Sequence, residues 1–262
     1  MIVKPTLEVP LDSLDGAILA APFADRLELC DDLASEGWTP RAELVRAVRA
    51  AVTTSLVAMI RPRLADSNPA MTIAGFTATP RIVEASIREI EGAAEAGANS
   101  VAIGLVRADG FVDMDACGRL ADVARAAKLE VAFLRTFDLL VDRERGMRDI
   151  TALGMKRVVT AGVLGWDASV ATLAQRIEVL QHDGRNAVAF AGSRRPVEIV
   201  PGGGVRASNA REFMRVSPHL HASCRRASVI SREELGELHA AMHAPPTSTN
   251  SSCSIRPQRA HN

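Results

Sequence analysis

The sequence predicts a parallel (β/α)8 barrel in a single domain, on three observations. Strand-like runs alternate with helix-like stretches eight times along 262 residues. Several of those runs end in a polar or glycine-rich tip, as strands do when their ends gather at one mouth. The chain is also 47% hydrophobic, enough to bury a substantial core. An open doubly wound sheet is the alternative arrangement of the same elements.

Residues 6–9 form the first strand, and Asp12-Ser13 caps a helix that reaches Ala21. Residues 25–30 form the second strand, Asp-Arg-Leu-Glu-Leu-Cys. There Leu27 and Leu29 fall on one face and Arg26, Glu28 and Cys30 on the other. Thr39-Pro40 reads as N-cap and first helical position of a helix striped by Leu44, Val48 and Val52. The third strand, residues 56–60, runs into Arg61-Pro62-Arg63. An irregular segment, residues 64–78, follows and is long enough to be either a cover over the mouth or a surface loop.

Thr79-Pro80 opens the next helix, lined by Val83, Ile87, Ile90 and Ala94 and stopped at Gly97. Residues 100–103 are the fourth strand, and Asp113 caps a helix whose inner stripe holds Ala116, Cys117, Leu120 and Ala124. The fifth and sixth strands are residues 130–134 and 157–160. Their helices fall at 147–153 and within 169–181, while residues 186–193 fit neither pattern. The seventh strand, residues 198–200, runs into Pro201-Gly202-Gly203-Gly204. A helix near 208–216, an eighth strand near 219–222 and a capping box from Ser231 to Glu234 complete the alternation. Residues 1–243 form the domain in this reading. Residues 244–262, with Pro245-Pro246 and a Ser/Thr run, have nothing to bury and are expected to be a disordered tail.

Composition removes several classes of function. The formal net charge is zero and the pI about 7.0, so no field favours nucleic acid or an anionic membrane. With Tyr absent and aromatics at 3%, base-stacking platforms are not expected. The first residues carry no signal-peptide pattern and no apolar run is long enough to span a bilayer, so a cytoplasmic setting is expected. Cys30, Cys117, Cys224 and Cys253 are far apart and form no CxxC, which argues against a disulfide framework and a structural zinc site.

In a barrel, the strand ends bring chemistry together from distant parts of the chain. Glu8, Glu28, Arg61, Arg135 and Asp138 are the candidate catalytic groups. Thr160, His221 and Ser223, with Gly202, Gly203 and Gly204, are candidates for binding a small anion. Consecutive glycines after the seventh strand let backbone N–H groups approach a phosphate closely. The same charged groups could instead form an internal ion-pair network that fills the barrel. Cys30 and Met59, inward on adjacent strands, are the candidate ligands for copper(I), a soft ion.

These residues sit in motifs that resemble the CutC family. The motifs are LEV at 7–9, DRLELC at 25–30, EGWTP at 36–40, MIRPR at 59–63, RTFD at 135–138, PGGGV at 201–205 and the stretch 221–225. The resemblance implies a TIM barrel and a cytoplasmic role in copper homeostasis; barrels of this kind also form homodimers. The chain departs from the family pattern at Leu134, where His is usual, at Pro10, where Cys is common, and at Leu64-Ala65 in place of Gly-Gly. Residues 165–195 form a longer segment than usual. Three functions follow: copper(I) binding, an enzyme using general acid/base chemistry on a small phosphorylated or carboxylated metabolite, and a barrel without catalysis that binds or assembles, to which Leu134 points.

Overall fold

The computed structural model describes residues 4–244, and all but the first residue of the tail expected at 244–262 lies outside them. Among the described residues, eight parallel strands form a nearly closed cylinder: β1 Thr6–Leu11, β2 Arg26–Leu29, β3 Ser55–Met59, β4 Ser100–Ile103, β5 Glu130–Phe133, β6 Arg157–Thr160, β7 Glu198–Pro201 and β8 His219–His221. Ladder pairing runs β8-β1-β2-β3-β4-β5-β6-β7. The two end strands, β7 and β8, lie side by side with no ladder between them.

Strand parity sorts the side chains. Leu7, Val9, Leu11, Leu27, Leu29, Leu56, Val101, Ile103 and Phe133 point outward into one continuous apolar layer beneath the helices. Each fully buried leucine there contributes roughly 2 kcal/mol. The opposite parity lines the barrel interior, where Cys30, Val57, Met59, Ala102, Ala132 and Leu134 form a separate small cluster. Below it, register places Glu8 beside Arg26 and His221, and Pro10 beside Glu28. The interior is thus apolar on the β3–β5 side and charged across β8, β1 and β2.

The helices are α1 Leu14–Ala20, α2 Ala42–Ala51, α3 Pro80–Glu95, α4 Met114–Ala126, α5 Arg143–Ala152, α6 Leu173–Ala191, α7 Ala210–Met214 and α8 Arg232–His243. Ser13, Thr79 and Asp113 cap α1, α3 and α4 through their side chains, as expected. Thr39 does not cap α2, which begins at Ala42 behind Arg41. Its hydroxyl donates to Glu89 at 2.5 Å and accepts from the Arg61 N–H at 2.8 Å, so it ties β3 to α3 instead. The capping box at Ser231 is half made: Ser231 accepts from Glu234 N–H, but the Glu234 carboxylate turns to Arg226 at 2.8 Å. A complete box occurs at Thr172 and Gln175.

Two helices exceed their sequence expectation. α5 starts at Arg143, capped by Asp142. α6 runs to Ala191 and absorbs most of the stretch that fitted no pattern, which accounts for much of the long segment between β6 and β7. A two-stranded hairpin, β9 Arg225–Arg226 and β10 Val229–Ile230, follows β8. The 64–78 segment is pinned to the wall by Arg61, whose guanidinium donates to the carbonyls of Gly37, Asn68 and Pro69 and lies between the rings of Trp38 and Phe76.

Candidate active site

A cavity of about 1070 Å³ opens at the C-terminal ends of the strands. Glu28, Met59, Arg135, Gly203, Gly204, His221 and Ser223 line it, bringing together groups up to about 195 positions apart in the chain, as the barrel reading expects. His221 is the centre of its floor. The imidazole Nδ1 lies 3.0 Å from Glu8 Oε1, and Nε2 lies 3.8 Å from Glu28 Oε2. One ring therefore stands between two carboxylates.

The two acids are pushed in opposite directions. Burial alone would raise Glu8, but the hydrogen bond with His221 and the charges of Arg157 and Arg26 outweigh it and keep Glu8 ionised well below the usual range. Arg26 Nε reaches Glu8 Oε2 at 2.8 Å and Arg157 Nε at 3.4 Å. Burial pushes Glu28 up to about 7, opposed by His221 and assisted by the charge of Glu8. Glu28 Oε1 accepts no hydrogen bond among the described residues. For His221, burial disfavours the cation, but the bond to Glu8 and the charges of Glu28 and Glu8 prevail, so its value rises. Two carboxyls with values driven apart, joined through a histidine, are the parts of a proton shuttle.

Glu8, Glu28 and His221 also form the one group of three such ligands, among the described residues, whose donor atoms lie within 4.8 Å of one another. Both Glu8 oxygens are already engaged, Oε1 by His221 and Oε2 by the two arginines. A cation held by all three would have to break those contacts.

The remaining candidates are distributed as follows. Arg61 lines a separate, smaller cavity of about 160 Å³, together with Trp38, Asn68 and Phe76. It therefore does not share the main cavity with Glu28. Asp138 and Thr160 are fully buried outside it. Thr160 has the parity of Val158, which faces the helices, and its hydroxyl donates to Asp138 at 2.5 Å while accepting from Arg143 of α5 at 2.8 Å. Asp138 further accepts from Ala161 N–H at 2.8 Å and pairs with Arg135 at 3.3 Å and Arg143 at 3.0 Å. Both residues act as scaffold for Arg135. Gly202 packs close to His221, since a Cβ there would sit 3.6 Å from the imidazole. Cys30 lies just below the cavity, where its thiol donates to Leu11 O at 3.5 Å and burial, with Glu28 and Asp12, pushes it far above its ordinary value.

Sequence reasoning missed Arg176, Arg225 and Trp166, all of which line the cavity. Arg176 sits in a helix whose pattern is otherwise ordinary, and only the folded chain brings it against the glycine loop, where it donates to Gly202 O at 2.8 Å and Gly203 O at 2.7 Å.

The CutC family model matches residues 6–225. The chain belongs to the CutC family. A CutC family protein of Vibrio atlanticus is 31% identical over 221 residues, covering 83% of this chain and 81% of that protein. The human copper homeostasis protein cutC homolog is 29% identical, covering 84% and 73%. Among solved structures, the putative copper homeostasis protein CutC of Streptococcus agalactiae superposes with a TM-score of 0.67 at 23% identity, covering 84% of this chain and 98% of that one. That likeness supports the barrel. Leu134 gives this cavity an apolar wall.

Proposed function

We propose that the barrel mouth is a catalytic site for general acid/base chemistry on a small anionic metabolite, phosphorylated or carboxylated. One observation carries the reading: His221 stands between Glu8 and Glu28 on the floor of the large cavity, 3.0 Å from one and 3.8 Å from the other. Glu8 holds the imidazole in one orientation and favours its cation, so Nε2–H is the proton donor. Glu28, poised near neutrality, takes and returns a proton on the cavity side. Arg135 balances developing negative charge. A cytoplasmic setting, in which the free thiols of Cys30, Cys117 and Cys224 stay reduced, suits this reading.

The test begins with melting temperatures across a panel of anionic metabolites, because any ligand of the folded state must raise them. Turnover of the metabolites that bind is then compared in wild type, Glu28→Gln and His221→Asn. Loss of turnover in both variants with binding retained is expected. A panel with no shift at all, or full turnover by Glu28→Gln, defeats the proposal.

A second reading comes from the copper homeostasis names carried by the relatives. Cys30 and Met59 supply soft sulfur ligands, and both sulfurs flank Gly37, lying 3.5 and 2.9 Å from where a Cβ would sit. Against this, the Cys30 thiol is protonated and bonded to a backbone carbonyl, and a thiolate there would face Glu28 and Asp12. The donor set fits copper(I) poorly. Anaerobic copper(I) titration of wild type and Cys30→Ala separates the cases, and equal weak binding by both removes copper from this site.

A further inference from the structure

The loop after β7 is built to present donors, and the charge around it is not balanced. Gly203 and Gly204 both have positive φ, 68° and 82°, a backbone that side-chain-bearing residues rarely adopt. Arg176 grips the carbonyls of Gly202 and Gly203 at 2.8 and 2.7 Å, and the carbonyl of Ala161 at 2.7 Å. With those carbonyls held by Arg176, the N–H groups of Gly203 and Gly204, both of which line the cavity, donate to no acceptor among the described residues. Asn209 secures the outer side of the turn by donating to Gly204 O at 3.0 Å.

Arg135 completes the arrangement. Its Nε pairs with Asp138 and its Nη2 donates to Trp166 O, while Nη1 has no acceptor among the described residues. Its guanidinium carbon lies 3.5 Å from the position of a Gly203 Cβ, so the open edge of the group borders the same loop. Trp166 packs on Arg135 at 4.4 Å and Phe76 on Trp166 at 6.0 Å, which fixes the guanidinium plane.

The buried network behind the loop contains Arg135, Arg143 and Arg176 but only the carboxylates of Asp138 and Asp183. Arg176, 7% exposed, has no carboxylate within 4 Å among the described residues. Asp167, on the exposed rim, has one carboxylate oxygen bonded to both Ser169 N–H and Ser169 Oγ. A buried cation without an acid partner is costly unless an anion completes the site.

We propose that this end of the cavity is a phosphate-monoester site. Gly203 N–H, Gly204 N–H and Arg135 Nη1 hold the phosphoryl oxygens, and Arg176 is the positioning residue that turns the loop's donors into the cavity. Three separate donors suit the three terminal oxygens of a phosphoryl group, whereas a carboxylate would be matched by a paired guanidinium edge that Arg135 has already committed to Asp138 and Trp166. The inference rests on the acid/base reading and narrows its substrate class: the ester is anchored at the β7 loop and the reacting carbon lies toward Glu28 and His221.

Inorganic phosphate, ribose 5-phosphate and acetate are the probes, read by calorimetry and by melting temperature of the full chain at concentrations up to about 10 mM. Both phosphates bind wild type and Glu28→Gln alike, acetate does not, and Arg135→Met weakens phosphate at least about tenfold. Arg176→Met weakens it as well, and Arg176→Lys restores part of the affinity, which a merely structural loss of the residue would not give. Phosphate indifferent to Arg135→Met, or no phosphate binding by a wild type whose turnover depends on Glu28, overturns this proposal and leaves the acid/base reading standing. Phosphate binding intact in all respects while Glu28→Gln turns over at the full rate sinks only the acid/base reading.

Discussion

Replacing Glu28 by Gln is expected to stabilise the protein above neutrality and to leave it little changed in mild acid. The folded-state value of Glu28 is raised from the ordinary 4.5 to about 7, so the folded chain holds this proton more tightly than the unfolded one. Stability from this group is therefore full below pH 4.5 and declines as pH rises to about 7, above which the loss is complete. That interval corresponds to roughly 3 kcal/mol. His221 acts in the same sense, since its raised value means stability lost as pH rises through it, and without the charge of Glu28 that contribution shrinks. Thermal unfolding of wild type and Glu28→Gln at pH 5, 6, 7 and 8 is the assay. With about 2–4 °C per kcal/mol for a chain of this size, the variant should melt roughly 6–12 °C above wild type at pH 8 and within about 3 °C of it at pH 5. Parallel pH profiles for the two proteins, or a variant less stable at pH 8, would refute the claim that burial and Glu8 hold this carboxyl protonated.

Three further outcomes follow from the contacts described. Glu8→Gln leaves Arg26 and Arg157 without their shared carboxylate and should cost about 3–5 kcal/mol in denaturant unfolding at pH 7; because the Glu8 value is depressed, the difference from wild type should narrow as pH falls below the ordinary carboxylate range. Gly37→Ala puts a Cβ 2.9 Å from Met59 Sδ at a φ of 88°, and a loss of about 1–3 kcal/mol is expected, with an unchanged midpoint contradicting the packing. Arg61→Met frees the carbonyls of Asn68 and Pro69, so amide exchange should accelerate at least about tenfold across residues 64–78 and stay unchanged in β4 and β5.

Much of this arrangement was legible in the chain because strand parity is simple. Leu27 and Leu29 outward with Glu28 and Cys30 inward follows from alternation alone, and the same rule carries Glu8 and His221 to the interior. Parity also shows why Thr160 lies outside the cavity, since it shares the face of Val158. Asp138 and Arg61 were harder, because both leave their strands before their side chains choose a partner. Arg61 is drawn sideways by two rings and three carbonyls that lie near it only in the folded chain. The early start of α5 was hidden because Arg143, Glu144 and Arg145 show no apolar period, and its first turn is held by the Asp142 cap and by buried pairing of Arg143 with Asp138 and Asp183. Thr39-Pro40 was a sound start signal spent on a different contact.

The missing ladder between β7 and β8 has a consequence for how the cylinder moves. Its two lips carry the two halves of the proposed chemistry, Gly202 to Gly204 on one and His221 on the other, joined among the described residues by side-chain contacts, Glu198 with His219 at 4.0 Å among them. Such a joint can part without breaking a main-chain hydrogen bond, so it is the cheapest place for the wall to breathe. A molecule gripped at the glycine turn and reaching the imidazole would bridge the gap like a clasp, and occupancy would stiffen the whole ring.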